Sequence, residues 1–214
     1  KDLGKLKEAE LSMRKAIELN PTFVNAHNNL GNILKDLGKL KEAELSMRKA
    51  IELNPKFANA YNNLGNILIS LGNFKEAELS IRKAIKLNPN FAIAYANLGI
   101  IMRDFDLLQE AEISTRKAIK LNPNFASSYS NLGTILRELG NIKEAETSIR
   151  KAIELDPKLT IAYSNLANIL IDLGKLQEAL DTFLKAIELN KNTLDYASSI
   201  AGLLRDSDPS NFNK

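Results

Sequence analysis

The chain has 214 residues, 26% charged and 44% apolar, the balance of a folded soluble protein rather than a disordered one. A net charge of +3 is too small to argue for nucleic acid, and no apolar run approaches the ~20 residues that cross a bilayer. Cysteine is absent, which removes disulfides, thiolate metal sites and cysteine nucleophiles and fits either a reducing compartment, with a cytoplasmic location expected, or a small-protein scaffold indifferent to redox state.

Residues 1–23 begin KDLGKLKEAEL, which lacks the pattern of a signal peptide, and read as one amphipathic helix. From there the chain repeats itself. Pro21, Pro55, Pro89, Pro123 and Pro157 stand 34 residues apart, and so do Leu30, Leu64, Leu98, Leu132 and Leu166. Gly31, Gly65, Gly99, Gly133 and Ala167 follow those leucines. The full units fall at 24–57, 58–91, 92–125, 126–159 and 160–193. Residues 194–205 read as one more first-type helix, a cap or half repeat with Ile200 and Ala201 in the Leu-Gly places, and 206–214 as a disordered tail. Residues 1–23 hold only the second helix of a truncated repeat. A solenoid begun at half a unit leaves an apolar face uncapped, so the chain is expected to be a fragment of a longer protein. The first helix, with Leu11 and Ile17 uncovered, is then a candidate surface for self-association.

Each unit carries two helical patterns. In the second, Ala60, Leu64, Ile67, Leu68 and Leu71 share one face, and Gly72 supplies the left-handed stop. Ala77, Ile81, Ala84, Ile85 and Leu87 mark the next helix, which Asn88-Pro89 ends. Gly65, Ala77 and Ala84 lower side-chain bulk where the two helices cross, and Tyr61, Tyr95, Tyr129 and Tyr163 are expected between units. A helical Gly costs ~1 kcal/mol relative to Ala, so close packing must return more.

These residues resemble the tetratricopeptide repeat (TPR): Tyr61, Leu64, Gly65, Ala77, Ile81, Ala84 and Pro89 in a unit of 34. The resemblance covers almost the whole chain. It implies an all-α fold, a right-handed α-solenoid or superhelix of helix-turn-helix repeats, with the first helix of each unit lining the concave side.

Packing does not account for Asn29, Asn63, Asn97, Asn131 and Asn165, which precede the repeat leucine in every full unit. Asn is a weak helix former. These residues lie opposite the packed face, with Asn28, Asn32, Asn62, Asn66 and Asn168 beside them. Asn25, Asn59, Ser127, Ser130, Ser164 and Thr134 extend the polar surface. An amide both donates and accepts, so a column of amides could pair with the backbone of an extended peptide. The alternative is an uncharged polar face, or bonding across to the next repeat. AYNNLGNIL and AYSNLANIL also resemble the superhelical repeats of O-linked N-acetylglucosamine transferases. That resemblance implies an asparagine ladder for acceptor proteins, and it admits a second reading, the substrate-recruiting arm of a larger glycosyltransferase. Repeats that clamp chaperone C-terminal tails use Lys and Arg here; this chain has none at those places. In the third unit Ile93, Ala96 and Ile100 make the face apolar, and Asp106 replaces the turn glycine.

The Arg-Lys pairs from 14–15 to 150–151 could form a nucleic-acid stripe. Glu44, Glu78, Glu112 and Glu146 lie four residues before the arginines, however, and are placed to neutralise them. His27, the single histidine, stands where other units have Tyr and reads as a packing substitute. One His and no Cys leave little for metal or triad chemistry. Glu42 and Glu44 recur as surface residues rather than as a dyad, and no glycine loop could cradle a phosphate. The expectation is a non-enzymatic interaction scaffold, without cofactor, metal, nucleic acid or membrane, whose partner is a protein or peptide in extended conformation.

Overall fold

The computed structural model describes residues 2–189, and no strand occurs among them. The end of the fifth repeat (190–193), the expected cap at 194–205 and the tail at 206–214 lie outside the described residues. The helices are α1 Leu3–Leu19, α2 Val24–Asp36, α3 Leu40–Leu53, α4 Ala58–Ser70, α5 Phe74–Leu87 and α6 Ala92–Asp104. They continue with α7 Leu108–Leu121, α8 Ala126–Glu138, α9 Ile142–Leu155, α10 Thr160–Asp172 and α11 Leu176–Leu189. They fall into two compact units, Lys1–Phe105 with α1–α6 and Asp106–Lys214 with α7–α11. Within each unit every helix packs against the next, and alternate helices (α2 with α4, α4 with α6, α8 with α10) also touch. This is the α-solenoid arrangement of helix-turn-helix repeats that the 34-residue period predicts.

Two kinds of turn set the repeat length. After α4, Gly72 takes φ +78° and the Asn73 N–H returns to the Leu68 carbonyl at 2.8 Å, which closes the helix with a left-handed cap. Asp106 occupies the same conformation, φ +60°, and is the one non-glycine residue with positive φ among the described residues. At the other turn, Asn54 Oδ1 accepts the Lys56 N–H at 3.0 Å across Pro55. Asn20, Asn88, Asn122 and Asp156 make the equivalent bond. The sequence reading credits this stop to proline alone; the Asx turn is its second half.

The core is built as the periodicity predicts. Ala60, Ile67, Leu68, Ala77, Ile81 and Ala84 are fully buried. A Cβ added to Gly65 would come within 2.5 Å of Ile81 Cγ1, and one on Gly31 within 2.7 Å of Met47 Cε. The missing side chain lets the second helix seat its large apolar residue against the first. Burial of such a residue contributes ~1.5–3 kcal/mol, which exceeds the ~1 kcal/mol helix cost of glycine.

Two expectations need revision. Leu11 is 69% exposed, but Leu45 and Leu79, each flanked by helices on both sides, are 68% and 69% exposed. Its exposure therefore belongs to its position in the repeat and is no sign of a missing neighbour. Ile17 is only partly exposed and lines a cavity with His27 and Leu30. Both residues thus lose their force as an argument for self-association.

Candidate functional site

The first helices, α2, α4 and α6 in one unit and α8 and α10 in the other, carry the asparagines. In the first unit these amides are joined into a relay. Asn97 Nδ2 donates to Asn62 Oδ1 at 2.9 Å, and Asn63 Nδ2 donates to Asn28 Oδ1 at 3.0 Å. Within a helix, Asn62 Nδ2 donates to Asn63 Oδ1 at 3.4 Å and Asn28 Nδ2 to Asn29 Oδ1 at 3.3 Å. In the second unit Asn165 Nδ2 donates to Ser130 Oγ at 3.3 Å and Thr134 Oγ1 at 3.1 Å. The bonds between helices span about one repeat, 31 or 35 residues, so the side chains tie adjacent first helices together.

This geometry separates residues that the sequence groups. Asn28 and Asn62 are 8% and 3% exposed. The sequence reading turns them to the open face, whereas they lie in the seam as acceptors for the next helix. Ala96, Ser130 and Ser164 occupy the same buried row. The column itself stays accessible: Asn29 is exposed, and Asn63, Asn97, Asn131 and Asn165 are half-buried. Asn32, Asn66 and Asn168, two turns along the face from Asn25, Asn59 and Ile161, are also half-buried. Among the described residues, the side chains of Asn32, Asn66, Asn131 and Asn168 make no hydrogen bond.

An asparagine amide has two N–H donors and an oxygen with two lone pairs. Asn63 gives one donor to Asn28 and one lone pair to Asn62, so one of each is left over. Asn66 keeps all of its capacity. In the third repeat, Ile93 is 46% exposed and Ile100 partly exposed on the same face of α6.

The rest of the chemistry is structural. His27 Nε2 donates to the Pro21 carbonyl at 2.9 Å, as Tyr163 Oη does to the Pro157 carbonyl at 3.1 Å, both six residues back. His27 therefore does the work of the tyrosine it replaces. The glutamate–arginine pairs form as expected: Glu44 with Arg48, Glu78 with Arg82, Glu112 with Arg116 and Glu146 with Arg150. The sequence reading misses a second set, 28 residues apart, which links neighbouring repeats: Arg14–Glu42, Arg48–Glu76, Arg116–Glu144 and Arg150–Glu178. The constant Arg-to-Glu spacing is its only sequence signal. Hydrogen bonds from Lys39 and Arg14 hold the Glu10 carboxyl below its ordinary range. Burial pushes the Glu146 carboxyl up, but hydrogen bonds from Arg150 and Lys175 outweigh it and leave the value lowered. No three His, Asp or Glu among the described residues gather as a metal site, and no described helix is long and apolar enough to cross a membrane.

Fold and repeat residues together define a tetratricopeptide-repeat protein of the α-solenoid class. The chain belongs to the family of the cilia and flagella-associated protein 70 C-terminal TPR domain, whose model matches residues 1–201. Its fold is similar to that in the crystal structure of the APC/C hetero-tetramer Cut9–Hcn1, with 18% identity and a TM-score of 0.89. That match covers 94% of this chain and 40% of the other, so the chain spans less than half of that neighbour. YrrB, described as a TPR protein with an unusual peptide-binding site, is 26% identical with a TM-score of 0.61, over 84% of this chain and 93% of its own. TTC0263, a thermophilic TPR protein of Thermus thermophilus, is 24% identical with a TM-score of 0.73, over 85% of this chain and 99% of its own. No curated protein matches the chain.

Proposed function

We propose that the chain is a non-catalytic protein-interaction scaffold. The polar face of its first helices, the concave side of a TPR solenoid, binds an extended segment of a partner. The observation that carries this reading is the set of amides left over after the inter-repeat bonds are made. Asn32 and Asn66 in the first unit, and Asn131 and Asn168 in the second, are accessible and unengaged. Asn32, Asn66 and Asn168 hold one place in the first, second and fifth repeats, and Asn131 holds the column place in the fourth. The column residues Asn29, Asn63 and Asn97 add spare N–H groups and oxygen lone pairs, and Asn165, whose amino group is given to Ser130 and Thr134, adds its oxygen. Main-chain pairing of this kind supplies affinity with little demand on the partner's side chains. The description of YrrB as peptide-binding supports the same class of ligand.

The test is a peptide array probed with the chain and with Asn32→Ala/Asn66→Ala and Asn131→Ala/Asn168→Ala variants. These amides hold nothing together, so the variants keep their fold. Binding should fall by about tenfold for each pair, across peptides of different sequence. Unchanged binding by folded variants would remove the face from the site.

A further inference from the structure

Within the first unit the amide face changes character on α6. Asn25, Asn29 and Asn32 share one face of α2, and Asn59, Asn63 and Asn66 the same face of α4, at steps of four and three residues. On α6 these places hold Ile93, Asn97 and Ile100. Ile93 is 46% exposed, and no other large apolar side chain on the described helices α2, α4 and α6 is exposed. The fold does not ask for isoleucine at either place, since α2 and α4 do without it.

Asn97, between the two isoleucines, gives one N–H to Asn62 on α4 at 2.9 Å. In the two preceding repeats the column oxygen accepts from the residue before it, Asn29 from Asn28 and Asn63 from Asn62. On α6 that residue is Ala96, which has no amide to donate. Asn97 therefore keeps both oxygen lone pairs and one N–H. A free acceptor and a free donor thus stand between two accessible isoleucines. Helix α6 packs on α4, whose Asn66 amide is also unengaged among the described residues.

We propose that this part of the face reads side chains: it selects an extended partner segment with two neighbouring apolar residues, whose main chain pairs with Asn97. The inference rests on the reading of the amide face as a peptide site and adds a sequence requirement to it. A polar side chain set against Ile93 or Ile100 would lose water and gain no bond, whereas an apolar one is favoured by leaving water. Successive side chains of an extended chain point to opposite sides. A segment that follows the column from Asn63 to Asn97 therefore turns one side chain toward Ile93 and the next toward Ile100. Over α2 and α4 both flanks are amides, and the partner's side chains are free to vary. A lipid tail would also suit the isoleucines, but it brings no N–H for the Asn97 oxygen.

The probes are two fluorescein-labelled peptides of about 12 residues, ~40 Å when extended, built of Ser and Thr and differing only at the centre, Val-Val in one and Ser-Ser in the other. By anisotropy the native chain should bind the Val-Val peptide about tenfold or more tighter. Ile93→Asn/Ile100→Asn should bring the Val-Val peptide down to the Ser-Ser level and leave the Ser-Ser peptide unweakened. Its circular dichroism should match the native chain, because α2 and α4 already carry Asn at these places. Asn32→Ala/Asn66→Ala should weaken both peptides by about tenfold and keep the preference between them. Equal affinity of the native chain for the two peptides, or a preference that survives Ile93→Asn/Ile100→Asn, would overturn the proposal and leave the amide face standing as a peptide site. If the isoleucine variant abolishes the preference while Asn32→Ala/Asn66→Ala weakens neither peptide, the amide reading falls and the apolar position stands. Binding of neither peptide overturns both.

Discussion

The Asn63 side-chain amide donates to the Asn28 oxygen at 3.0 Å, from one first helix to the one before it. The same asparagine accepts from Asn62, so it is engaged on both sides within the seam. An Ala at position 63 has the better helix propensity by roughly 0.6 kcal/mol. It also strips a partner from two buried amides, at roughly 1–3 kcal/mol. Asn63→Ala should therefore lower stability by about 1 kcal/mol in urea unfolding, while Asn66→Ala, which breaks no bond, leaves it unchanged or slightly raised. Equal stability of the two variants would show the relay to be energetically empty.

Gly65→Ala should destabilise the chain although Ala favours helix. The new Cβ would lie 2.5 Å from Ile81 Cγ1 and 3.3 Å from the Ala77 carbonyl, and only the side chain can give way. Overpacking of this kind costs about 1–3 kcal/mol. Adding Ile81→Val, which shortens the clashing arm, should recover part of the loss. A double-mutant cycle by calorimetry measures the recovery, and additive losses would mean the clash is relieved elsewhere.

Asp106→Gly should stabilise. Asp106 holds φ +60° where the other units have glycine, and a left-handed residue with a Cβ costs roughly 1 kcal/mol. The melting temperature should rise by a few degrees. No rise would mean that the unfolded-state entropy of the added glycine cancels the relief.

Acid should weaken the chain through Glu10 and Glu146. Hydrogen bonds from Lys39 and Arg14 lower the first; those from Arg150 and Lys175 lower the second against the opposing effect of burial. A carboxyl depressed in the folded state contributes stability above its unfolded value, about 4.3, and loses it as pH falls through the lower folded value. Thermal melts between neutral pH and pH 3 should show this loss, and Glu10→Gln/Glu146→Gln should flatten the profile in that window. An unchanged slope would place the acid sensitivity elsewhere.

The repeat was legible because its determinants are local. A 34-residue period in Leu64, Gly65, Ala77, Ile81 and Pro89 determines both helices, both turns and the crossing between them. The side-chain bonds were harder to read. Asn62 and Asn63 are adjacent and chemically identical, yet one is a buried seam acceptor and the other a half-exposed donor. That split depends on how the next helix is set against this one, by an angle that no single helix pattern records. The 28-residue Arg–Glu links hid for the same reason: each arginine already had a plausible partner four residues away.

The relay in the first unit also has an arrow. Every donated proton between helices points toward the amino terminus, and the chain of amides runs from Asn97 to Asn62 and Asn63, then to Asn28 and Asn29. The Asn97 oxygen stands uncommitted at one end and the Asn29 amino group at the other. A strand of peptide lying on this face would meet a row of aligned dipoles rather than a symmetric surface. Its two running directions would differ in energy, so the asparagines could fix which way a partner chain lies without reading any of its side chains.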